Sequence, residues 1–128
     1  MILILNFDFA AAHFYENKSW SPQKNTSVFG KCYTPHGHGH NYRLQLEIDI
    51  AAKEPDKAKS DISSHIVPII NTVDHRHLNF DLPYFKSRIP TTENISLYLA
   101  DQIALPKPYR LKLLRLFEMD SIFVELTI

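Results

Sequence analysis

The chain has 128 residues, enough for one compact domain spanning 1–128 with a real core and too few for two of ordinary size. Apolar residues make up 45% and charged residues 22%, an ordinary globular balance, while Lys plus Arg and Asp plus Glu stand at 14 each, so no net field draws the protein to nucleic acid or anionic lipid. Cys32 is the only cysteine, which excludes an internal disulfide and a multi-thiolate metal site and fits a cytoplasmic setting.

Apolar residues dominate Ile2 to Phe9, and the alternation Leu5, Asn6, Phe7, Asp8, Phe9 is that of a strand with one buried face. This opening stretch holds Asp8, lacks a basic leader and is shorter than the roughly 20 residues of a membrane helix, so neither a signal nor an anchor is expected. Residues Tyr15 to Gly30 are polar and contain Asn17, Ser19, Ser21, Pro22, Asn25 and Gly30, and read as a long loop. Asn41 to Ile50 alternates cleanly, with Tyr42, Leu44, Leu46, Ile48 and Ile50 on one side and Arg43, Gln45, Glu47 and Asp49 on the other.

Further on, Ile62, Ile66, Ile69, Ile70 and Val73 predict a helix over Asp61 to Val73, with Ser60 as N-cap and a kink or early break at Pro68. A second helix is predicted from Thr91 or Thr92 to about Ile103, closed by Pro106 and Pro108. Leu111 to Phe117 and Ile122 to Thr127 complete the chain as a hairpin. This order of elements predicts an α+β domain with a four-stranded antiparallel sheet and two helices on one face.

The segment from Cys32 to Tyr42 runs Cys-Tyr-Thr-Pro-His-Gly-His-Gly-His-Asn-Tyr into the cleanest strand of the protein. In extended backbone His36, His38 and His40 project to one face, and Gly37 and Gly39 leave room for a close approach to the main chain. Three imidazoles suit zinc, and three protein ligands with an open fourth position characterise catalytic rather than structural sites. His13, at the end of the first strand after three alanines, is an alternative third ligand from outside the segment. His65, by contrast, reads as an ordinary surface or core histidine.

Six blocks taken together resemble the 6-pyruvoyltetrahydropterin synthase and 6-carboxytetrahydropterin synthase family over almost the whole chain. They are Ala11-Ala12-His13, Phe29-Gly30-Lys31-Cys32, Gly37 to Tyr42, Asp74-His75, Thr91-Thr92-Glu93-Asn94 and Phe117-Glu118-Met119-Asp120. The resemblance implies a zinc site on His13, His38 and His40, setting His36 aside as a neighbour. It implies Cys32 as the catalytic base with Asp74 and His75 as relay partners, and Glu118 as the anchor of a pterin ring, assisted by Thr91, Thr92 and Glu93. The chemistry suits these residue types: a carboxylate accepts two adjacent ring N–H donors side by side, and a thiol, mostly protonated at neutral pH, needs a cationic neighbour to act as a base.

The family's tunnelling fold closes the strands of several subunits into a barrel, with substrate sites between chains, and implies a homohexamer built as a dimer of trimers. One branch eliminates triphosphate from 7,8-dihydroneopterin triphosphate to give 6-pyruvoyltetrahydropterin. The other cleaves the side chain to the 6-carboxy product with loss of acetaldehyde, serving queuosine and related deazapurines. Five residues separate Cys32 from His38, closer to the pyruvoyl branch, which is the expectation adopted. The rival readings are a three-histidine zinc hydrolase, which would tolerate loss of Cys32, and a carrier that binds pterin without turnover.

Overall fold

The computed structural model describes all 128 residues. Strand β1 (Ile2–His13) pairs antiparallel with β2 (His38–Asp49) along its whole length, from Ile2 opposite Asp49 to His13 opposite His38. Between them lies helix α1 (Pro22–Phe29), and after β2 come α2 (Pro55–Ile70), the two-residue strand β3 (Arg76–His77) and the single turn α3 (Leu78–Asp81). Helix α4 (Thr92–Gln102) and the hairpin β4 (Arg110–Met119) and β5 (Ile122–Thr127) complete the chain, and the sheet order is β3-β1-β2-β4-β5.

The alternation in β1 and β2 does what period two dictates. Leu5, Phe9, Tyr42, Leu44, Leu46 and Ile48 face inward, where Leu114 and Leu116 of β4 join them. Helices α2 and α4 cover that face with Ile62, Ile66, Ile95 and Leu99, all fully buried, each worth roughly 2 kcal/mol by area. The opposite face is polar and tied across strands: Arg43 donates to Asp8 at 2.9 Å, and Arg115 donates to Glu47 at 2.8 Å and to Glu125 at 2.6 Å. No helix is long and apolar enough to cross a membrane.

Several expectations need correction. The sheet has five strands, not four, and is not wholly antiparallel, because β3 pairs parallel to β1 through Ala11 opposite Arg76 and Ala12 opposite His77. Two residues cannot display an alternation; tertiary hydrogen bonds hold β3 there, from His75 N to Ala10 O at 2.6 Å and from Ala10 N to the Asp74 carboxylate at 3.0 Å. The stretch from Tyr15 to Gly30 is not all loop, since α1 starts at Pro22 with the Ser21 hydroxyl accepting from Lys24 N. Asn25, 1% exposed, stitches the approach to α1 by accepting from Asn17 N and donating to the Asn17 carbonyl.

Helix α2 begins at Pro55, six residues before Asp61, with Glu54 rather than Ser60 at the N-cap position. Proline at the first helical position loses no hydrogen bond and presets φ. Pro68 lies inside α2, which continues two residues past it and ends at Ile70, three residues short of the expected Val73. It sits exposed in the last turn, where water reaches the backbone group it leaves free, while buried Ile66 and Ile70 hold the helix against the core.

Candidate metal centre and active site

The register of β1 and β2 builds the site. His13 and His38 are direct partners and Ala11 faces His40, so all three histidines project from the helix-covered side at one end of the strand pair. His13 Nε2 lies 3.0 Å from His38 Nε2, and the three residues each offer one nitrogen within 4.8 Å of the others. The structure thus brings together His13, His38 and His40. His36 stays exposed in the turn before β2, and His65 lies on the surface of α2 with Nδ1 2.9 Å from the Asp61 carbonyl.

The nitrogens are prepared to bind a cation. His13 is fully buried, and its Nδ1 donates to the Pro90 carbonyl at 2.8 Å, which leaves the Nε2 lone pair facing its neighbours. Tyr42 Oη lies 3.2 Å from the same Nδ1. His40 Nε2 is buried without a hydrogen-bond partner, an orphaned nitrogen of the kind a metal ligand presents, and His38 turns its Nε2 toward His13 Nε2. Burial pushes the His13 pKa down to about 4, with His38 and His40 adding to the fall against the opposing Pro90 bond; desolvation and His40 lower that of His38. Neutral imidazole is the ligating form, so these residues fit a zinc-type cation.

The lowered His13 pKa has a measurable consequence in the metal-free protein. The unfolded chain takes up a proton on this residue near pH 6.5 and the folded chain only near 4, so its contribution is fully present above 6.5 and is lost as pH falls to 4, about 3 kcal/mol in all. Urea denaturation in a chelator at several pH values should show this loss, and His13→Asn should remove that part of the slope.

Glycines frame the cluster differently. At Gly37, with φ +76°, an added Cβ would lie 2.6 Å from the His13 carbonyl oxygen and 3.0 Å from His77 Nε2. The close approach anticipated at these glycines is therefore made by the protein's own β1. Gly39 has ordinary space, 3.6 Å from the Ala11 carbonyl. Gly37→Ala should cost about 3 kcal/mol, whereas Gly39→Ala should cost under about 1 kcal/mol; chemical denaturation of both variants distinguishes them.

Glu118 reaches the cluster from β4. It lies two residues beyond buried Leu116 on the same face, and its Oε1 is 2.9 Å from His40 Nε2, off the hydrogen-bonding direction. Thr92, 4% exposed, donates to Glu118 Oε2 at 2.5 Å and so fixes the carboxylate. Thr91 caps α4, accepting from Asn94 N at 3.2 Å, and Glu93 is exposed in its first turn.

Cys32 ends the short turn Gly30–Cys32, half-buried, and its carbonyl accepts from Tyr15 N at 2.7 Å. Asp74 and His75 stand elsewhere. Asp74 accepts from Ala10 N and lies 2.9 Å from His75 Nδ1, its pKa lowered by the Ala10 bond first and His75 second. His75, 83% exposed with φ +58°, borders the polar sheet face with Asn41 and Asp120, so within one chain the pair does not meet Cys32. Sequence reasoning missed Tyr15, just beyond the end of β1, whose ring packs edge-on against His13 at 5.1 Å; its place two residues after a ligand was the available signal.

An α+β sheet carrying three convergent imidazoles, a fixed carboxylate and a nearby thiol defines a candidate metal-dependent enzyme site. The family model described as "6-pyruvoyl tetrahydropterin synthase" matches residues 2–127, and the chain belongs to that family. It is 34% identical over 121 residues to the 6-pyruvoyl tetrahydrobiopterin synthase of Homo sapiens, covering 88% of this chain and 81% of that one. A putative 6-pyruvoyl tetrahydrobiopterin synthase of Caenorhabditis elegans is 35% identical over 100 residues, 74% of this chain and 70% of that one. The solved structure of Caenorhabditis elegans 6-pyruvoyl tetrahydropterin synthase shares the fold, with TM-score 0.85 at 24% identity over 99% of this chain and 94% of that one.

Proposed function

We propose that the chain is a zinc-dependent lyase that eliminates triphosphate from 7,8-dihydroneopterin triphosphate to give 6-pyruvoyltetrahydropterin. The observation that carries this is the convergence of His13, His38 and His40 beside Glu118. The names of the relatives and the five-residue gap between Cys32 and His38 favour the pyruvoyl over the carboxy product. The 128 residues act as one pterin synthase domain in the cytoplasm, assembled as a homohexamer.

Zinc bound by His13, His38 and His40 would acidify the hydroxyls of the substrate side chain and stabilise charge developing there. Glu118, held by Thr92, accepts the paired N–H donors of the pterin ring and sets its orientation. A His40 Nε2 engaged as a ligand no longer competes for Oε1, which frees that oxygen for the ring. Thr91 and Glu93 support the same end of α4. Cys32, as thiolate, removes a proton from a side-chain carbon as the bond to triphosphate breaks. Half-buried Asp74 and exposed His75, at the sheet edge, serve as relay for the Cys32 of a neighbouring copy, which makes assembly a condition of activity.

The test is to incubate the zinc-loaded protein with 7,8-dihydroneopterin triphosphate and identify the products by mass. Inorganic triphosphate and the pyruvoyl product are expected. The carboxy product with acetaldehyde would overturn the choice of branch, and intact substrate the lyase reading.

A further inference from the structure

Asn94 is the one member of the block Thr91-Thr92-Glu93-Asn94 that has no part in the account of the site so far. It stands third in α4, half-buried, and hydrogen-bonds to neither the histidines nor Glu118. Its backbone N–H goes to the capping Thr91 hydroxyl at 3.2 Å, and its side-chain Nδ2 reaches back to donate to the Ile89 carbonyl at 2.8 Å. The same carbonyl accepts from Thr91 N at 2.8 Å. Ile89, Pro90 and Thr91 thus form a tight turn closed over three residues, with proline holding the φ of its centre.

Two contacts of the candidate site leave from this turn. Pro90, buried at its centre, accepts at its carbonyl from His13 Nδ1 at 2.8 Å, and Thr92 donates to Glu118 Oε2 at 2.5 Å. A bracket over residues 89–92 therefore aims both a candidate metal ligand and the carboxylate beside it. Within the bracket the Ile89 carbonyl has only the short bond from Thr91 N. The Asn94 side chain is what ties that carbonyl to the first turn of α4, which Ile95 and Leu99 bury against the sheet.

We propose that Asn94 is a positioning residue that sets the metal site and the ring anchor together, by locking the 89–92 bracket onto helix α4. The ring half rests on the pterin reading above, and the metal half on the histidine cluster alone. Without the Nδ2 bond the turn relaxes, and Pro90 and Thr92, one residue apart, shift in concert. His13 then loses its fixed orientation in the same step in which Glu118 loses its partner.

The experiment compares wild type, Asn94→Asp and Asn94→Ala in zinc affinity by competition with a chromophoric chelator, in binding of biopterin to the zinc-loaded protein by calorimetry, and in melting temperature. Asn94→Asp is the decisive variant. A carboxylate in the first turn favours the helix, so the melting temperature should hold, but it cannot donate to the Ile89 carbonyl. Zinc affinity should fall about tenfold, the low end for a partner that orients a ligand, and biopterin affinity about tenfold, the worth of one hydrogen bond. The added negative charge by itself would strengthen binding of a cation and of N–H donors, so a fall reports position. Asn94→Ala should bind both at least as weakly as Asn94→Asp. Zinc or biopterin affinity unchanged in Asn94→Asp would overturn the proposal, and so would losses that only track a lowered melting temperature. Wild type that binds zinc but no biopterin would instead overturn the pterin reading on which the ring half stands.

Discussion

Replacing His38 with alanine should lower zinc affinity by more than 100-fold and abolish turnover, while the far-ultraviolet circular dichroism stays that of the native protein. The magnitude follows from position: partners that only orient a ligand cost 10–100-fold in affinity when lost, and His38 supplies one of just three nitrogens. The fold should survive because His38 sits at the first residue of β2, half-exposed, while the buried rows of β2 begin at Tyr42. Competition with a chromophoric chelator reads the affinity directly. Stoichiometric zinc retained by His38→Ala at wild-type affinity would overturn the metal centre on His13, His38 and His40.

Cys32→Ala tests the chemistry separately from the metal. The variant should bind zinc as wild type does and lose about 1,000-fold in kcat, in the middle of the range for a missing general base. Little else should change, since the contact that anchors this turn uses the Cys32 carbonyl and not its side chain. Single-turnover kinetics on zinc-loaded protein give the rate, and metal analysis of the same samples gives the occupancy. A hydrolase working through metal-bound hydroxide would keep its rate in Cys32→Ala, so an unchanged kcat would favour that class instead.

The two predictions differ in how far their residues were legible. Alternation in Tyr42, Leu44, Leu46 and Ile48 reveals the inward face of β2 directly, because side chains two apart on a strand share a face. The same rule places His38 and His40 together. It equally admits His36, and only the resemblance to a family, not the spacing, chose His13 in its place. Register explains the outcome: β2 begins at His38 where it meets His13, so His36 falls in the preceding turn.

Helix boundaries were harder to read for definite reasons. The apolar period of α2 starts at Ile62, yet its first turn needs only Ala58 buried and a proline at its first position, so the helix extends to Pro55 without an apolar signal. Helix α1 has a weak apolar face and is held by the Ser21 cap and by Asn25, whose partners reach back to Asn17. Such side-chain to backbone bonds leave no periodic trace. Strand β3 is held by two bonds to Ala10.

Residue order by itself determined the α+β class, the buried faces of β1 and β2, the family blocks and the chemistry available to them, because these depend on local period and residue type. Tertiary structure alone decided that Tyr15 stands against His13, that Pro90 fixes the His13 tautomer, that Thr92 holds Glu118, and that Asp74 and His75 border the polar sheet face without Cys32. Each of these joins segments distant in the chain, or sends neighbours to opposite faces, and the contact follows from strand register and helix docking, which no single stretch of sequence contains.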